Sequence, residues 1–544
     1  MARTVTLRPW QKAALDRLAA SPSADFLAVA TPGAGKTTFA LLAARQALAE
    51  HPGRRLLVVV PTAHLKVQWS KAAVAFDLHL DPGWAAADGA LPSDMHGVVV
   101  TYQQVASCAP VLRGLAAGGF VVFDEIHHAA DDRAWGDAVR TAFEPAARRL
   151  ALSGTPFRSD VCAIPFVRYQ HEEAVADYEY GYGDALADGG VVRPVYFPRI
   201  DGHMEWTAPD GSFHSHSFED PLDAARAGQR LRTAYSLEGE WLPHVLRQAH
   251  DQLLAIRQRQ PDAGGLIIAT DQDHAKGIVR LLWDRLRVRA VVATSDDPMA
   301  SSHISRFAAG TDPWIVAVRM VSEGVDIPRL RVGVFATTTT TELFFRQAVG
   351  RLVRWTKGLR GQKSFLFIPD EPRLRARAFS IAEQRRHSLR HEDRDVLPRA
   401  VEAEEALEPE QGSFFAPISA TPLGLQASDD AEWVLDEDGH FEPAEDATLV
   451  VPLPPLPAGS RRPAAAAPEG RTLREHKERL RAANTNKVRM IARVTSQTHA
   501  AINGELNRAI GLTRISEATV EQLERRLEKA EQLWRVVSAK TLAG

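Results

Sequence analysis

A glycine-rich segment near the beginning of the sequence has the composition of a phosphate-binding loop. Residues 30–38 read Ala-Thr-Pro-Gly-Ala-Gly-Lys-Thr-Thr, after an apolar run and before a helical pattern. A strand, a glycine-rich turn and a helix N-terminus in this order let backbone N–H groups surround phosphate oxygens. Lys36 would then reach the β- and γ-phosphates of a nucleoside triphosphate, and the Thr37 hydroxyl would hold Mg²⁺. The residues predicted to bind the nucleotide here are Thr31, Pro32, Gly33, Ala34, Gly35, Lys36, Thr37 and Thr38.

Two carboxylates directly follow a second apolar run. Residues 120–123 lead into Asp124 and Glu125. At the C-terminal edge of a strand beside a phosphate loop, Asp124 can complete the Mg²⁺ site and Glu125 can polarise the attacking water. An exposed loop with two acids is the alternative interpretation. Four hydrophobic residues leading straight into the pair argue against it.

Parallel sheets are needed to position these side chains, and the sequence contains two sets of strand-like runs. Each run is short and apolar, and helical patterns separate the runs, which is typical of parallel strands covered on both faces. Two sets predict an α/β fold with two lobes, each a parallel sheet flanked by helices. The first set is 26–30, 56–60, 98–101, 120–123 and 150–152, and the second is 266–269, 290–293, 315–318, 332–336 and 365–368.

The segment Asp-Glu-Ile-His at residues 124–127 resembles the signature of superfamily 2 helicases and translocases. Further segments resemble the other motifs of that family in the same order, over about residues 7–369. The resemblance is closest to the XPB-like and restriction-translocase-like branch, and it implies two tandem RecA-like lobes. Ala30 replaces the usual first glycine of the phosphate loop, a form that helicase loops share. The other matching segments are 7–11, 61–69, 100–102, 153–158, 269–271, 322–328 and 347–354.

This resemblance implies roles for residues of both lobes. Arg351 and Arg354, three residues apart on one helical face, would cross from the second lobe to stabilise charge on the transferring phosphoryl group. Threonine is also a common strand residue, so a structural role is the alternative at each of the backbone contacts. The implied catalytic residues are Glu125, Lys36, Arg351, Arg354 and Gln347. The implied adenine contacts are Arg8 and Gln11, the residues between nucleotide and nucleic acid are Gly324 and Asp326, the nucleic-acid contacts are Thr62, Thr101 and Thr270, and the residues that couple ATP state to movement are His127, Ser153 and Thr155.

Composition divides the chain further. Residues 401–450 contain fourteen Asp and Glu and no Lys or Arg, whereas residues 471–544 contain fifteen basic and eight acidic residues in a helical pattern. The C-terminal segment is predicted to be a small helical module that grips DNA or docks a protein partner. The predicted domains are lobe 1 at 1–160, a linker or insert at 161–261, lobe 2 at 262–400, an acidic then Pro/Ala-rich linker at 401–470, and the basic helical module at 471–544.

The bulk properties are those of a globular protein, with 45% hydrophobic residues and a net charge of -3. Two cysteines cannot form a disulfide framework or a four-cysteine zinc site. The sequence shows neither a signal peptide nor a membrane-spanning apolar run, which predicts a cytoplasmic protein. The expected function is an ATP hydrolase, using ATP and Mg²⁺, that acts as a DNA helicase or double-stranded DNA translocase. An RNA helicase and an ATP-gated nucleic-acid clamp remain alternatives.

Overall fold

The computed structural model describes residues 4–88, 91–130, 133–154, 164–170, 173–294, 297, 299–318, 327–359, 361–389, 416–426, 448–456, 472–495 and 497–542. Helices and strands alternate through most of this length. The strands are β1 Thr4–Leu7, β2 Asp25–Ala30, β3 Leu56–Val60, β4 Leu80–Asp81, β5 Gly97–Thr101, β6 Phe120–Phe123, β7 Arg148–Ser153, β8 Tyr169–Gln170, β9 Glu173–Ala174, β10 Tyr178–Tyr180, β11 Val195–Tyr196, β12 Arg199–Thr207, β13 Phe213–Ser217, β14 Gly264–Ala269, β15 Ala290–Ala293, β16 Trp314–Ala317, β17 Leu330–Ala336, β18 Ser364–Pro369, β19 Ala416–Gln426 and β20 Leu449–Pro452.

The helices cover both faces of the sheets that these strands form. They are α1 Pro9–Ala20, α2 Lys36–Glu50, α3 Ala63–Val74, α4 Tyr102–Ala116, α5 Arg133–Phe143, α6 Tyr182–Ala187, α7 Ala224–Ala234, α8 Trp241–Arg257, α9 Gln272–Leu286, α10 Ala300–Ala309, α11 Glu342–Leu352, α12 Pro372–Leu389, α13 Leu473–Thr495, α14 His499–Ala509 and α15 Val520–Leu542.

The first lobe is built on a parallel sheet with the strand order β10-β2-β7-β6-β3-β5-β4. Alternate residues of β2 enter two different apolar clusters: Phe26 and Ala28 pack on one face, and Leu27 and Val29 pack on the other. Side chains of a strand alternate between the two faces, so burial on both faces produces a continuous apolar run. The C-terminal ends of β2 and β6 lead into the phosphate loop and the acidic pair.

The second lobe contains a nine-stranded sheet with the main order β13-β12-β18-β17-β14-β16-β15. Strands β14 to β18 pair in parallel. Strand β12 pairs antiparallel with β13 and with β19, which adds an antiparallel flange to one side. The two sheets and their helices confirm the predicted α/β fold class, and strands occur at all ten predicted runs.

Segments outside the two predicted lobes also supply strands. Residues 161–261, predicted as a linker or insert, contribute β10 to the first sheet and β11, β12 and β13 to the second. Strand β19 of the predicted acidic linker joins the second sheet, and β20 pairs antiparallel with β1. Strands β10, β11 and β20 are short, and β12 alternates between buried and half-exposed positions, so these strands lack the apolar run that marks a central strand. The exact domain boundaries stay a prediction.

The C-terminal helices α13, α14 and α15 pack together around a small apolar cluster that includes Val488, Ile491, Ile502 and Leu506. Leu473 of α13 and the first residue of α15, Val520, belong instead to an apolar cluster of the first lobe. The helical module is therefore seated on that lobe. Among the described residues, none of the helices combines the length and apolarity needed to cross a bilayer.

Candidate functional site

The phosphate loop, residues 30–37, is held from one side by the beginning of α1. Three consecutive loop carbonyls, those of Gly33, Ala34 and Gly35, accept hydrogen bonds from this segment. The donors are Arg8 Nη1 at 2.9 Å, Trp10 Nε1 at 3.0 Å and Gln11 Nε2 at 2.9 Å, in the same order. The carbonyl and the following N–H of a trans peptide point in opposite directions, so the N–H groups of Gly35 and Lys36 point away from α1.

Two positions of the loop require glycine because of their backbone conformations. Gly33 and Gly35 have φ values of 85° and 93°, which L side chains rarely adopt. A Cβ on Gly35 would also lie 2.7 Å from Gln11 Nε2. The loop that results is a backbone cradle at the N-terminus of α2, whose free N–H groups and dipole suit an anion such as a phosphate. The donors present, including the Lys36 ammonium, fit the triphosphate predicted from the sequence.

Gln11 has a scaffolding role in this structure. Its Nε2 donates to Gly35 O, and its Oε1 accepts from the backbone N–H of Arg8 at 2.8 Å. The side chain is 3% exposed. Adenine contacts by Arg8 and Gln11 therefore stay a prediction. To contact adenine, Gln11 would have to use the second N–H or the second lone pair of its amide, or rotate the amide away from the loop.

Aromatic residues that the sequence left unexplained support the same segment. The Trp10 indole stacks on Tyr180, with ring centroids 5.1 Å apart and an interplanar angle of 13°. The backbone carbonyl of Tyr180 accepts from Thr31 N at 3.0 Å. Strand β10, which carries Tyr180, thus braces both α1 and the phosphate loop. Three alternating tyrosines were visible in the sequence, but nothing there placed them beside this loop.

Asp124 is held from two directions. Its Oδ2 accepts from Trp69 Nε1 at 2.8 Å, and its backbone carbonyl accepts from the Tyr102 hydroxyl at 3.0 Å. Burial and the neighbouring charge of Glu125 raise the pKa of Asp124 to about 6. Trp69 belongs to a segment that resembles a nucleic-acid-gripping loop, yet it is 2% exposed and positions the carboxylate.

Glu125 faces the phosphate-loop lysine. Its Oε1 lies 3.3 Å from Lys36 Nζ, and its Oε2 accepts from Gly154 N at 2.9 Å. Burial alone would raise the pKa of Glu125, but the charges of Lys36 and His127 and the Gly154 N–H lower it to about 2. The residue also has φ of 47°, an uncommon conformation for a non-glycine residue that is concentrated at functional sites.

His127 lies between the acidic pair and the second lobe. Its Nδ1 is 3.8 Å from Glu125 Oε2 and 3.5 Å from Ser153 Oγ. Its Nε2 is 3.2 Å from Gln347 Nε2, within hydrogen-bonding distance. The structure therefore brings four of the predicted residues into one chain of contacts: Glu125, Ser153, His127 and Gln347.

Helix α11 approaches the phosphate loop closely. A Cβ on Gly350 would lie 2.5 Å from Pro32 Cγ, so only glycine allows this contact between the lobes. A Cβ on Gly33 would lie 3.7 Å from Arg354 Cγ, which places Arg354 beside the loop. The predicted arginine-bearing helix and the predicted nucleotide site thus face each other across the cleft. Arg351 lies within α11, whereas Arg354 lies two residues beyond the end of that helix.

Arg193, which no motif indicated, braces the end of α11. Its guanidinium donates to the carbonyl of Arg354, to Pro328 O at 2.6 Å and to Leu330 O at 3.3 Å. The side chain is fully buried, and burial together with the charge of Arg331 lowers its pKa to about 8. Arg193 therefore ties two predicted motif segments together, although it stands far from both in sequence.

The three predicted nucleic-acid contacts differ in how far the structure supports them. Thr62 precedes α3 and is half-buried, with no side-chain capping bond to its helix. The Thr270 hydroxyl donates to Ala336 O at 3.3 Å. Thr101 is 8% exposed, and its hydroxyl accepts from Gln104 N as the N-cap of α4. Thr101 thus has a structural role as a helix cap, and its contact with a nucleic acid stays a prediction.

The remaining predicted residues include some that the structure does not place. Thr155, Gly324 and Asp326 lie outside the described residues. Thr37 and Thr38 lie in the first turn of α2 and are half-buried. Their roles in binding Mg²⁺ and nucleotide stay predictions.

Comparison with known proteins decides the family. Residues 4–158 match the family model described as type III restriction enzyme, res subunit. The chain is 46% identical over 428 residues to the uncharacterized protein Rv2917 of Mycobacterium tuberculosis, covering 77% of this chain and 71% of that protein. The chain belongs to the same family as Rv2917. The match of residues 4–158 to the restriction-enzyme family model supports the superfamily 2, restriction-translocase-like branch that the motifs predicted.

Two more distant similarities accompany this family. The chain is 25% identical over 395 residues to Rad25 of Halobacterium salinarum, a candidate DNA 3'-5' helicase, covering 71% of this chain and 56% of that protein. A fragment structure of a candidate HsdR subunit of a type I restriction enzyme from Vibrio vulnificus has a TM-score of 0.46 at 18% identity. That similarity covers 67% of this chain and 64% of the other.

Proposed function

We propose that this superfamily 2 protein is an ATP-dependent DNA motor, either a helicase or a double-stranded DNA translocase. The observation that carries the proposal is the chain of contacts from Lys36 through Glu125 and His127 to Gln347. It joins the phosphate loop and the acidic pair of one lobe to α11 of the other. A change at the nucleotide site would therefore alter a contact between the lobes, which is what a motor requires.

The residues at the cleft suit ATP hydrolysis with Mg²⁺. The loop N–H groups and Lys36 would hold the phosphates, and Thr37 and Asp124 would hold the metal. A bound Mg²⁺ supplies charge stabilisation for phosphoryl transfer. Glu125, held ionised beside Lys36, would orient the attacking water and accept its hydrogen bond once Lys36 turns towards phosphate.

Helix α11 would complete the reaction site from the second lobe. Arg354 lies beside the phosphate loop, two residues beyond the end of α11, and Arg351 lies in the last turn of that helix. Arginines delivered in this way stabilise negative charge on the transferring group and are worth about 10³ to 10⁵ in rate. A change in the position or partners of Glu125 would shift His127 and its contact with Gln347, and this would couple hydrolysis to the position of the second lobe.

We favour DNA over RNA as the nucleic acid along which the protein moves. The family model is that of a restriction-enzyme subunit, and the name of Rad25 refers to DNA. Gripping by both lobes through phosphate contacts would make binding independent of sequence and sensitive to salt. Thr62 and Thr270 are the candidate contacts in lobes 1 and 2.

Triplex displacement tests the proposal. A third strand annealed to duplex DNA should be released in the presence of ATP and Mg²⁺ by the wild-type protein but not by Glu125→Gln. Release would establish translocation on the duplex, and separation of a forked duplex without triplex release would establish a helicase. ATP-dependent retention on DNA with neither activity would replace the motor with a clamp, and activity on RNA alone would overturn the choice of DNA.

A further inference from the structure

The outer face of α9 carries a stripe of basic residues around an exposed tryptophan. Lys276, Arg280, Trp283 and Arg287 are spaced by four, three and four residues, which places them on one side of the helix and its C-cap. All four are exposed, and Trp283 is 44% exposed. Arg289 follows shortly after and is exposed as well.

The arginines near Trp283 gather around its ring. The guanidinium carbons of Arg287 and Arg289 lie 5.9 Å and 5.8 Å from the indole centroid. These distances are near the upper limit for cation–π pairs, and Trp283 stays 44% exposed beside the two arginines. The stripe therefore presents an aromatic surface together with donors for anions.

Little negative charge offsets this stripe. Lys276 lies 3.9 Å from Asp273, and Arg285, on a different side of α9, pairs with Glu240. Within the described part of the chain, no carboxylate is within ion-pair distance of Arg280, Arg287 or Arg289. The four basic residues of the stripe outnumber the two carboxylates beside them on α9, those of Asp273 and Asp284, so an anionic partner would be stabilising here.

The stripe begins close to a predicted nucleic-acid contact. Asp271 caps α9 through a hydrogen bond to His274 N, and Thr270 immediately precedes it. Lys276 is therefore in the second turn after Thr270. From the start of α9 to Trp283 the distance is roughly 17 Å at about 1.5 Å per residue. That length corresponds to about five nucleotides at about 3.4 Å each.

We infer that this face of α9 binds a single-stranded segment of DNA, with a base stacked on Trp283 and phosphates bound by Lys276, Arg280, Arg287 and Arg289. The inference rests on the proposed DNA-motor function and adds a second contact surface to it. Surfaces that bind single strands combine positive charge along the backbone with exposed aromatic rings that stack on bases. A duplex offers its phosphates but keeps its bases stacked away from an indole, so the exposed ring favours a single strand.

Photocrosslinking and binding on the full chain test the inference. A fluorescent oligonucleotide containing 5-bromodeoxyuridine should crosslink to the tryptic peptide that begins at Leu281 and ends at Arg285. Trp283→Ala should weaken binding of the oligonucleotide about 5-fold or more, and Trp283→Phe should retain most of the affinity. Arg280→Gln/Arg287→Gln/Arg289→Gln should also weaken binding and lower the slope of log Kd against log salt by about 2, at about 0.7 per lost phosphate contact.

Matched controls lie on the neighbouring helix and its end. Arg247→Gln/Arg259→Gln removes two exposed arginines, and Leu254→Ala removes a side chain that is 48% exposed. Both controls should bind the oligonucleotide as the wild type does. Circular dichroism should show that all these surface variants are folded.

The outcomes separate this inference from the proposed function. DNA-stimulated ATP hydrolysis with unchanged affinity in the α9 variants, and no crosslink to the 281–285 peptide, would overturn the α9 site and leave the motor intact. Absence of DNA binding by the wild type would overturn the motor itself. If replacing the acids of residues 427–447 by amides abolished the effect of the α9 variants, the stripe would serve that acidic segment and not DNA.

Discussion

At the scale of single residues, the pair formed by Lys36 and Glu125 is central to the candidate site. Their charged atoms are 3.3 Å apart, and the side chains are 12% and 28% exposed. Limited access to water makes this attraction stronger than that of a surface pair. The pair keeps Glu125 ionised and its carboxylate directed into the cleft. Both residues were predictable because each follows an apolar strand in a recognisable motif.

Arg193 is a residue that sequence alone could not identify. An arginine followed by Pro194 has no motif, and its partners are carbonyls of residues 328, 330 and 354, which any residue type could supply. The same limit applies to Trp69, whose contact with Asp124 depends on how α3 packs. Motifs reveal the residues that meet the substrate, whereas the residues that position them are revealed only by the fold.

Arg193→Lys should lower the kcat of DNA-stimulated ATP hydrolysis by about 10-fold with a smaller change in KM. One ammonium cannot reproduce the fork that spans three carbonyls, so the end of α11 would lose its fixed position. The measurement is steady-state hydrolysis against ATP concentration. Arg329→Lys is the matched control, because Arg329 is also buried in the second lobe and its guanidinium donates to carbonyls outside the predicted motif segments, those of Asp262, Phe307 and Asp312. Equal losses of kcat in the two variants would contradict a positioning role for Arg193.

At the scale of elements, the central strands were predictable and the peripheral ones were not. Residues 56–60 are apolar throughout because both faces of β3 are buried. Strand β12 alternates along its nine residues, and β10 has three, so neither stands out from a loop in sequence. The pairing of β20 with β1 joins residues more than four hundred positions apart, a contact that no local pattern encodes.

The helical module is held together by a buried arginine. Arg526 is 1% exposed, and its guanidinium donates to the side-chain carbonyls of Asn484, Asn503 and Asn507 at 2.9, 2.6 and 2.8 Å. Asn484 lies on α13 and the other two lie on α14. One side chain of α15 therefore connects all three helices.

Arg526→Met should lower the free energy of unfolding of the module by about 3 kcal/mol, because buried amide oxygens would lose their donors. Hydrogen exchange across α13 to α15 measures the loss. Arg525→Met is the control: this neighbour is 66% exposed and pairs with Glu521, so its removal should cost less than about 1 kcal/mol. Similar losses of unfolding free energy in both variants would show that the bonds from Arg526 to the three asparagines do not stabilise the module.

At the scale of the whole molecule, the C-terminal part of the chain contacts both lobes in turn. Strand β19 extends the second sheet, β20 pairs with β1 directly before the segment that holds the phosphate loop, and the helical module then packs on the first lobe. The module is seated through Asp94, which accepts from Lys477 Nζ and from Val520 N at 2.9 Å. Residues 401–470 were predicted from composition to be a linker, and that prediction did not include the pairing of β19 and β20 with the two lobes.

Asp94→Ala should loosen the module from the first lobe. The substitution leaves the Lys477 ammonium, 2% exposed, without its carboxylate, and breaking a buried pair in this way costs about 3 to 5 kcal/mol. Hydrogen exchange should accelerate at the beginnings of α13 and α15 and stay slow in β2. Asp16→Ala, which removes an exposed acid from the same lobe, should change neither region. Unchanged exchange at α13 and α15 in Asp94→Ala would show that other contacts seat the module.

The DNA dependence of ATP hydrolysis tests the central claim most directly. Steady-state turnover with Mg²⁺ should rise strongly on addition of single-stranded, duplex or forked DNA, and Glu125→Gln should lose about 10²-fold or more of that rate while still binding ATP. Turnover that responds to no nucleic acid, or that survives in Glu125→Gln, would contradict a motor in which Lys36, Glu125, His127 and Gln347 couple hydrolysis to movement.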